Sequence, residues 1–259
     1  MVISSICANG SSEKTSQSKL DKIKARGKLV VGTEAQYAPY EFKDANANFV
    51  GCDIWLAQQI ADSIGVKLEI VDMAFDGIIP AVTSGQVDIG IAAFTATPER
   101  AEVIDFSDSY ETSTQYLVVK AGNENVYTTK ESLKGKKIGA QKGTNQSQIV
   151  LKGFPESELF ELAKYPALAL EVQNGNIAGL VADQAAGQSI IESSEGKLVQ
   201  ANFTFDPEDG AVGTKNAVIQ KGNPDLVAAV NEVIAKVVAD GSFLAEFEKA
   251  VELAATLGL

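Results

Sequence analysis

The chain has 259 residues, of which 45% are apolar and 22% are charged, a composition typical of a globular protein with room for two domains. Its formal net charge of −12 argues against nucleic acid as a partner, because the phosphates would be repelled. Histidine is absent, which excludes hydrolases that need a histidine partner, so we expect no catalytic residue, no metal site and no cofactor.

The N-terminal region contains Cys7 followed by a small, polar, serine-rich stretch over residues 8–18. This arrangement resembles the start of a bacterial lipoprotein, in which the cysteine carries the lipid. Ile6 stands where such signals favour a small residue, and the residues before it are too few for an apolar signal segment. We expect residues 1–18 to form a flexible tether of an extracytoplasmic protein that has lost most of its export signal. Cys7 is the candidate lipid-attachment residue, and an ordinary polar tail is the alternative.

Strands and helices alternate from Leu20 onward. Short β-branched runs predict strands over residues 28–32, 67–71 and 87–92. Helical spacing of apolar residues, with a glycine after each end, predicts helices over 53–64 and 77–84. Pro98 suits the first turn of a further helix. This order is typical of a mainly parallel sheet covered by helices on both faces.

The same alternation restarts in the second half of the chain. It predicts strands over residues 115–120, 136–140 and 178–182, and helices that begin near Thr144 and Asp183. A last strand is expected over 216–220, followed by helices over 224–239 and 242–257. The pattern therefore predicts two α/β units. It leaves open which of the two the terminal helices complete.

Eight segments in this order resemble the periplasmic polar amino-acid-binding proteins of ATP-driven (ABC) importers. They occupy residues 31–42 (VGTEAQYAPYEF), 50–57 (VGCDIWLA), 76–85 (DGIIPAVTSG), 87–100 (VDIGIAAFTATPER), 104–107 (IDFS), 133–146 (LKGKKIGAQKGTNQ), 178–183 (AGLVAD) and 221–226 (KGNPDL). The resemblance spans residues 20 to 250. It implies the two-lobed α/β fold of type II periplasmic binding proteins, with a ligand trapped in the cleft by closure of the lobes.

The resemblance also implies how the chain is divided. Lobe 1 would comprise residues 19–110 and 216–259, and lobe 2 the inserted residues 111–215. Two strands, near 110–114 and 211–215, would cross between the lobes as a hinge. The terminal helices would then belong with lobe 1.

An amino-acid ligand carries a carboxylate and an ammonium group, and buried charges need partners. Arg100 matches the family's carboxylate-binding arginine, whose planar fork suits a carboxylate. Asp183 matches the ammonium-binding aspartate. Without the motif, Arg100 would be an ordinary surface arginine and Asp183 a helix N-cap. Because the two come from different lobes, we expect the ligand's charges to draw the lobes together.

The resemblance assigns further ligand contacts. Thr95 and the backbone carbonyl of Ala93 follow a strand, although Ala93 stands where glycine or serine is usual. Thr144 and Asn145 begin a helix whose free N–H groups favour an anion. The remaining predicted contacts surround the ligand side chain: the rings of Tyr37 and Phe75, Glu34 in place of the usual aspartate, and Gln141. Cys52 replaces a phenylalanine and is expected to be a buried thiol.

These residues leave the ligand's side chain open. Glu34 could pair with a cationic tip or accept from an amide, and we favour arginine or another basic amino acid, then glutamine. The partners implied are this ligand and the membrane permease of an ABC importer, with the binding protein a monomer. Two alternatives share the scaffold: an enzyme like cyclohexadienyl dehydratase, with Glu34 and Asp183 as the acids in reach, and a surface lobe that senses an amino acid.

Overall fold

The computed structural model describes residues 17–259. Cys7 and most of the predicted tether lie outside the described residues. The folded part begins at Ser18, whose hydroxyl accepts a hydrogen bond from the backbone N–H of Asp21 and so caps the first helix. Within the described range, no helix combines the length and the apolar character needed to cross a membrane.

The first half of the described chain forms an α/β unit, called lobe 1 here. Its strands are β1 (Lys28–Thr33), β2 (Phe42–Lys43), β3 (Phe49–Val50), β4 (Lys67–Asp72), β5 (Ile89–Phe94) and β6 (Ile104–Phe106). Its helices are α1 (Lys19–Arg26), α2 (Cys52–Ser63), α3 (Phe75–Ser84) and α4 (Pro98–Ala101). Strand β1 lies between β4 and β5 and is parallel to both, as the alternation of strand and helix predicts.

The second α/β unit, lobe 2, follows. Its strands are β7 (Glu111–Lys120), β8 (Lys137–Gln141), β9 (Glu158–Leu162), β10 (Gly179–Asp183) and β11 (Leu198–Gln200). Its helices are α5 (Asn145–Gly153), α6 (Tyr165–Asn174) and α7 (Gln184–Glu192), with single 3-10 turns at Glu131–Leu133 and Pro207–Asp209. Strands β8, β9 and β10 are parallel, whereas β7 runs antiparallel to β10. Strand β9 and helix α6 were not predicted from the sequence.

Strand β12 (Val212–Gln220) returns the chain to lobe 1, and helices α8 (Pro224–Ala239) and α9 (Ser242–Leu257) complete it. The start of β12 pairs with the start of β7, and its end pairs with β5 and β6. The two lobes are thus joined by two antiparallel strands, and the predicted two-lobed α/β fold is confirmed. Both terminal helices pack on α2, and α9 also contacts α7 of lobe 2.

Each lobe has an apolar core that fixes its strands. In lobe 1, Leu29 and Ile89 of the sheet, Ile60 of α2 and Val230 of α8 are almost fully buried. Full burial of such a side chain contributes about 1.5–3 kcal/mol. Because β1 and β5 are buried along nearly their whole length, the loops that follow their carboxyl ends are held firmly at the edge of the sheet.

Candidate ligand-binding cleft

A small cavity lies between the lobes, with about 310 Å³ of space free of atoms including its opening. It lies at the carboxyl ends of β1, β5, β8 and β10, the edge where open α/β sheets bind ligands. Every residue that the sequence analysis assigned to the site lines this cavity: Glu34, Tyr37, Phe75, Ala93, Thr95, Arg100, Gln141, Thr144, Asn145 and Asp183. Four further lining residues were not predicted: Glu41, Ala92, Gln146 and Tyr165.

Arg100 extends from α4 of lobe 1 toward lobe 2. Its guanidinium group donates to the backbone oxygen of Thr95 (2.8 Å) and, across the cleft, to that of Gly143 (2.9 Å). It also lies over the rings of Phe75 and Phe94, at 5.5 and 5.3 Å from their centroids. Burial lowers the pKa of Arg100 to about 10, so it remains charged at neutral pH. Three of its five N–H donors are left for an anion.

Asp183 ends β10 and precedes α7, but its side chain makes no helix-capping hydrogen bond. Its carboxylate accepts instead from the hydroxyl of Tyr37 (2.8 Å) and the amide of Gln115 (2.8 Å), and it forms an ion pair with Lys215. Gln146 extends this network by donating to Gln115 (3.0 Å). The predicted ammonium partner is therefore a buried carboxylate that already has a cation, Lys215, which was not predicted as a site residue from the sequence.

The two rings that were predicted to sandwich a ligand side chain, Tyr37 and Phe75, each stack against other aromatic rings. Tyr37 stacks with Tyr40 and Tyr165, at centroid distances of 5.6 and 4.9 Å, and Phe75 stacks with Phe94 at 4.6 Å. The hydroxyl of Tyr37 joins lobe 1 to Asp183 of lobe 2. Tyr37 thus positions a charged group as well as lining the cavity.

Two acidic side chains of lobe 1 are buried at the cavity. Glu34 is 4% exposed, and burial raises its pKa to about 7, although the hydrogen bond from Gln141 acts in the opposite direction. Glu41 is 1% exposed, and burial together with neighbouring Asp53 raises its pKa well above the usual range. A cationic group in the cavity would favour the ionised form of both carboxyl groups.

Thr144 caps α5 at the cavity. Its hydroxyl accepts from the backbone N–H of Ser147 (3.3 Å) and donates to the backbone oxygen of Gln141 (2.6 Å). The hydroxyl is therefore occupied by the cap. What α5 can offer an anion is the free N–H groups of its first turn, at Asn145 and Gln146.

Ala93 has a left-handed backbone with φ of 48°, a conformation that is costly for a residue with a side chain. Its N–H donates to Asp53 Oδ2 at 2.7 Å, and the hydroxyl of Tyr110 donates to the same oxygen at 2.9 Å. Burial raises the pKa of Asp53 to about 6, opposed by these hydrogen bonds. Asp53 therefore fixes the backbone that the resemblance assigns to ammonium binding.

The charged and polar side chains at the cavity can hold a small ligand by ion pairs and hydrogen bonds. In the part of the chain that the structure describes, no cluster of three or more His, Cys, Asp and Glu side chains could hold a metal ion. Cys52 is buried as a free thiol, and burial raises its pKa well above the usual range. The arrangement suits reversible binding of a small molecule that carries both signs of charge.

The sequence matches known proteins over most of its length. Residues 29–251 match the model of the bacterial extracellular solute-binding proteins, family 3. The chain is 30% identical to the L-cystine-binding protein TcyJ of Escherichia coli K12, over 89% of this chain and 85% of TcyJ.

Solved structures with the same architecture include two amino-acid-binding proteins. The ABC transporter substrate-binding protein AbpA of Streptococcus pneumoniae, bound to L-arginine, has a TM-score of 0.87 at 30% identity, covering 90% of this chain and 98% of AbpA. The ancestral amino-acid-binding protein AncCDT-1, a precursor of cyclohexadienyl dehydratase, has a TM-score of 0.81 at 33% identity, covering 90% of this chain and 99% of that protein.

Proposed function

Because the chain belongs to the bacterial extracellular solute-binding proteins of family 3, we propose that it binds a free amino acid between its lobes and delivers it to an ABC importer. The cavity supports this most directly, since Arg100 of lobe 1 and Asp183 of lobe 2 both line it. A zwitterion offers Arg100 a carboxylate and Asp183 an ammonium group. Each charge of the ligand would thus be held by a different lobe, which favours the closed arrangement.

The preferred ligand in this proposal is arginine or another basic amino acid. Glu34 and Glu41 are buried carboxyl groups at the cavity, and a cationic side chain would pair with their ionised forms. AbpA, bound to L-arginine, has the same fold. Glutamine is the second candidate, because its amide can hydrogen-bond to Glu34 and Gln141 without a charge.

The same proposal makes the protein a monomeric carrier that leaves its ligand unchanged. Glu34 and Asp183, the acids on which an alternative dehydratase activity would depend, already hydrogen-bond to Gln141 and Tyr37. Incubation with prephenate or arogenate followed by product analysis tests this point, and any turnover would contradict it.

The proposal also places the protein outside the cytoplasm, with Cys7 as the candidate site of lipid attachment. Lipid attachment would be detected as incorporation of a labelled fatty acid that Cys7→Ser abolishes.

The decisive experiment is a thermal-shift screen of the standard amino acids together with ornithine and citrulline. A ligand that binds only the folded state raises the melting temperature, and at one hundred times its Kd it stabilises the protein by about 2.7 kcal/mol. We expect the largest shift with arginine. A flat response to the whole panel would contradict amino-acid binding, and a shift confined to glutamine would correct the ligand while keeping the function.

A further inference from the structure

Lys215 is a buried cation at the hinge. Its side chain is 0% exposed, and it lies on β12 directly opposite Glu111 of β7, where the two crossing strands pair. Among the described residues, the only carboxylate within ion-pair distance of its ammonium group is Asp183. The ring of Tyr40 lies on another side of it, 5.3 Å away. A lysine is almost never buried in this way unless its charge is paired.

The position of Lys215 bears on ligand binding because it shares Asp183 with the cavity. Asp183 lines the cavity, whereas Lys215 is not among the lining residues, so it reaches the carboxylate from the hinge side. The charge of Asp183 is consequently compensated before any ligand enters. A ligand ammonium group would be a second cation on the same carboxylate.

We propose that Lys215 is the built-in counter-ion of Asp183 and sets how strongly the cleft requires an α-ammonium group in its ligand. This rests on the proposed amino-acid binding. With Lys215 present, a ligand that lacks the ammonium group leaves Asp183 paired. Without Lys215, that ligand leaves a buried carboxylate with no cation, which is costly. Lys215 therefore makes the cleft more tolerant of ligands without an ammonium group.

Three other acids lie within the electrostatic influence of Lys215, and they allow its pairing with Asp183 to be distinguished from a general effect on nearby carboxyl groups. Lys215 lowers the pKa of Glu41, Asp53 and Glu111 against the larger effect of their burial. None of the three forms an ion pair with it among the described contacts. If Lys215 served this acidic cluster in general, removing any of these carboxyl groups would compensate for its loss. If Lys215 is the counter-ion of Asp183 in particular, only a change at Asp183 would compensate for the loss of Lys215.

The test compares an amino acid with its analogue that lacks the α-amino group. We would measure by calorimetry the Kd of L-arginine and of desamino-arginine, or of glutamine and desamino-glutamine if the screen selects glutamine. The quantity compared is the Kd of the desamino analogue divided by the Kd of the amino acid. In Lys215→Met this ratio should be at least about tenfold higher than in the wild type, because the α-ammonium group of the ligand is then the one cation available to Asp183. Lys221→Met, which removes an exposed lysine just beyond β12, should leave the ratio unchanged.

A ratio in Lys215→Met that stays the same or falls would overturn the inference while leaving amino-acid binding intact. Failure of both the wild type and Lys221→Met to bind any amino acid would instead contradict the proposed function.

The melting temperature gives a second, independent measurement. Lys215→Met should lower it, and adding Asp183→Asn to the same chain should restore part of the loss. Glu111→Gln should restore less. If Lys215→Met does not fold, the double variant Lys215→Met/Asp183→Asn should recover the fold. Equal recovery in Lys215→Met/Glu111→Gln would overturn the pairing of Lys215 with Asp183.

Discussion

The side-chain amide of Gln141, at the end of β8 in lobe 2, donates a hydrogen bond of 3.4 Å to the carboxyl group of Glu34, which follows β1 in lobe 1. The same amide nitrogen donates to the backbone oxygen of Ala163 at 2.9 Å, so Gln141 is held in place independently of the cleft. Glu34 is therefore the adaptable member of the pair. We expect its protonation state to decide which ligand side chains the cleft accepts.

We expect the affinity for arginine to rise with pH. The pKa of Glu34 is raised to about 7 by burial, so below that pH the group is mostly protonated in the protein without ligand. A cationic side chain needs the carboxylate, which means that binding must release a proton there. The Kd for arginine should fall as pH increases from 5.5 to 7.5 (roughly two units that bracket this pKa), as measured by calorimetry. Glu34→Gln should bind arginine weakly at every pH, and a wild-type Kd independent of pH would contradict the assignment.

The unliganded protein should become less stable over the same range. Glu34 has a usual pKa of 4.5, and its folded-state pKa is about 7, so the unfolded chain loses this proton at lower pH than the folded one. The contribution of Glu34 to the free energy of unfolding is therefore fully present below about pH 4.5 and is lost as pH rises through 7. Urea unfolding without ligand should therefore give a free energy of unfolding that declines across this window. In Glu34→Gln, where this proton is absent, the decline should be shallower.

Gly143 should be needed for closure of the lobes. It has φ of 78°, and a Cβ atom at this position would lie 2.9 Å from Cβ of Asp76 in lobe 1. Gly143→Ala should therefore hold the lobes apart and weaken amino-acid binding at least tenfold in calorimetry. Gly135→Ala is the matched control, because Gly135 has φ of 67° with nothing within 4 Å. Both variants carry the same backbone strain, of about 1–2 kcal/mol. Equal affinities in the two variants would refute the closure role.

Asp53 should support binding through Ala93. Asp53→Ala removes the acceptor that holds the Ala93 N–H, and an unsatisfied buried N–H costs about 1–3 kcal/mol. We expect the Ala93 backbone to relax from its left-handed conformation and the affinity for the amino acid to fall about tenfold. Tyr110→Phe removes the other hydrogen bond to the same oxygen and should lower the melting temperature with little change in affinity. A similar loss of affinity in both variants would mean that Asp53 acts through general stability.

The site residues were predicted from the resemblance to the amino-acid-binding family, and the strand pattern explains the positions of four of them. Glu34, Ala93, Gln141 and Asp183 lie at or next to the carboxyl ends of four strands, and the sequence pattern predicts a strand at each of these four places. Parallel order then brings the ends of β1 and β5 to one edge of lobe 1, and those of β8 and β10 to one edge of lobe 2. The helix Tyr165–Asn174 was not predicted although its buried residues have helical spacing, and Tyr165 was therefore not predicted as a lining residue.

Lys215 could not be predicted in the same way. It lies in the run VGTKNAV, where a lysine between small and polar residues normally indicates an exposed position. Lys215 is buried because β12 crosses between the lobes and because the fold brings Asp183, 32 positions earlier in the chain, into contact with its ammonium group. The partners of Arg100 were hidden for a similar reason, since Gly143 belongs to the other lobe.

Arg100 should be required as an arginine and not only as a cation. The chain contains two arginines, and Arg26, the other one, is exposed and paired with the buried Asp88. The planar fork of Arg100 spans the backbone oxygens of Thr95 and Gly143 and still keeps donors for a carboxylate, which the single ammonium group of lysine cannot do. Arg100→Lys should therefore raise the Kd for the amino acid at least tenfold, whereas Arg26→Lys should leave it unchanged. If calorimetry gave the same Kd for both variants, the ligand carboxylate would have to bind elsewhere, with the N-terminus of α5 as the remaining place for it.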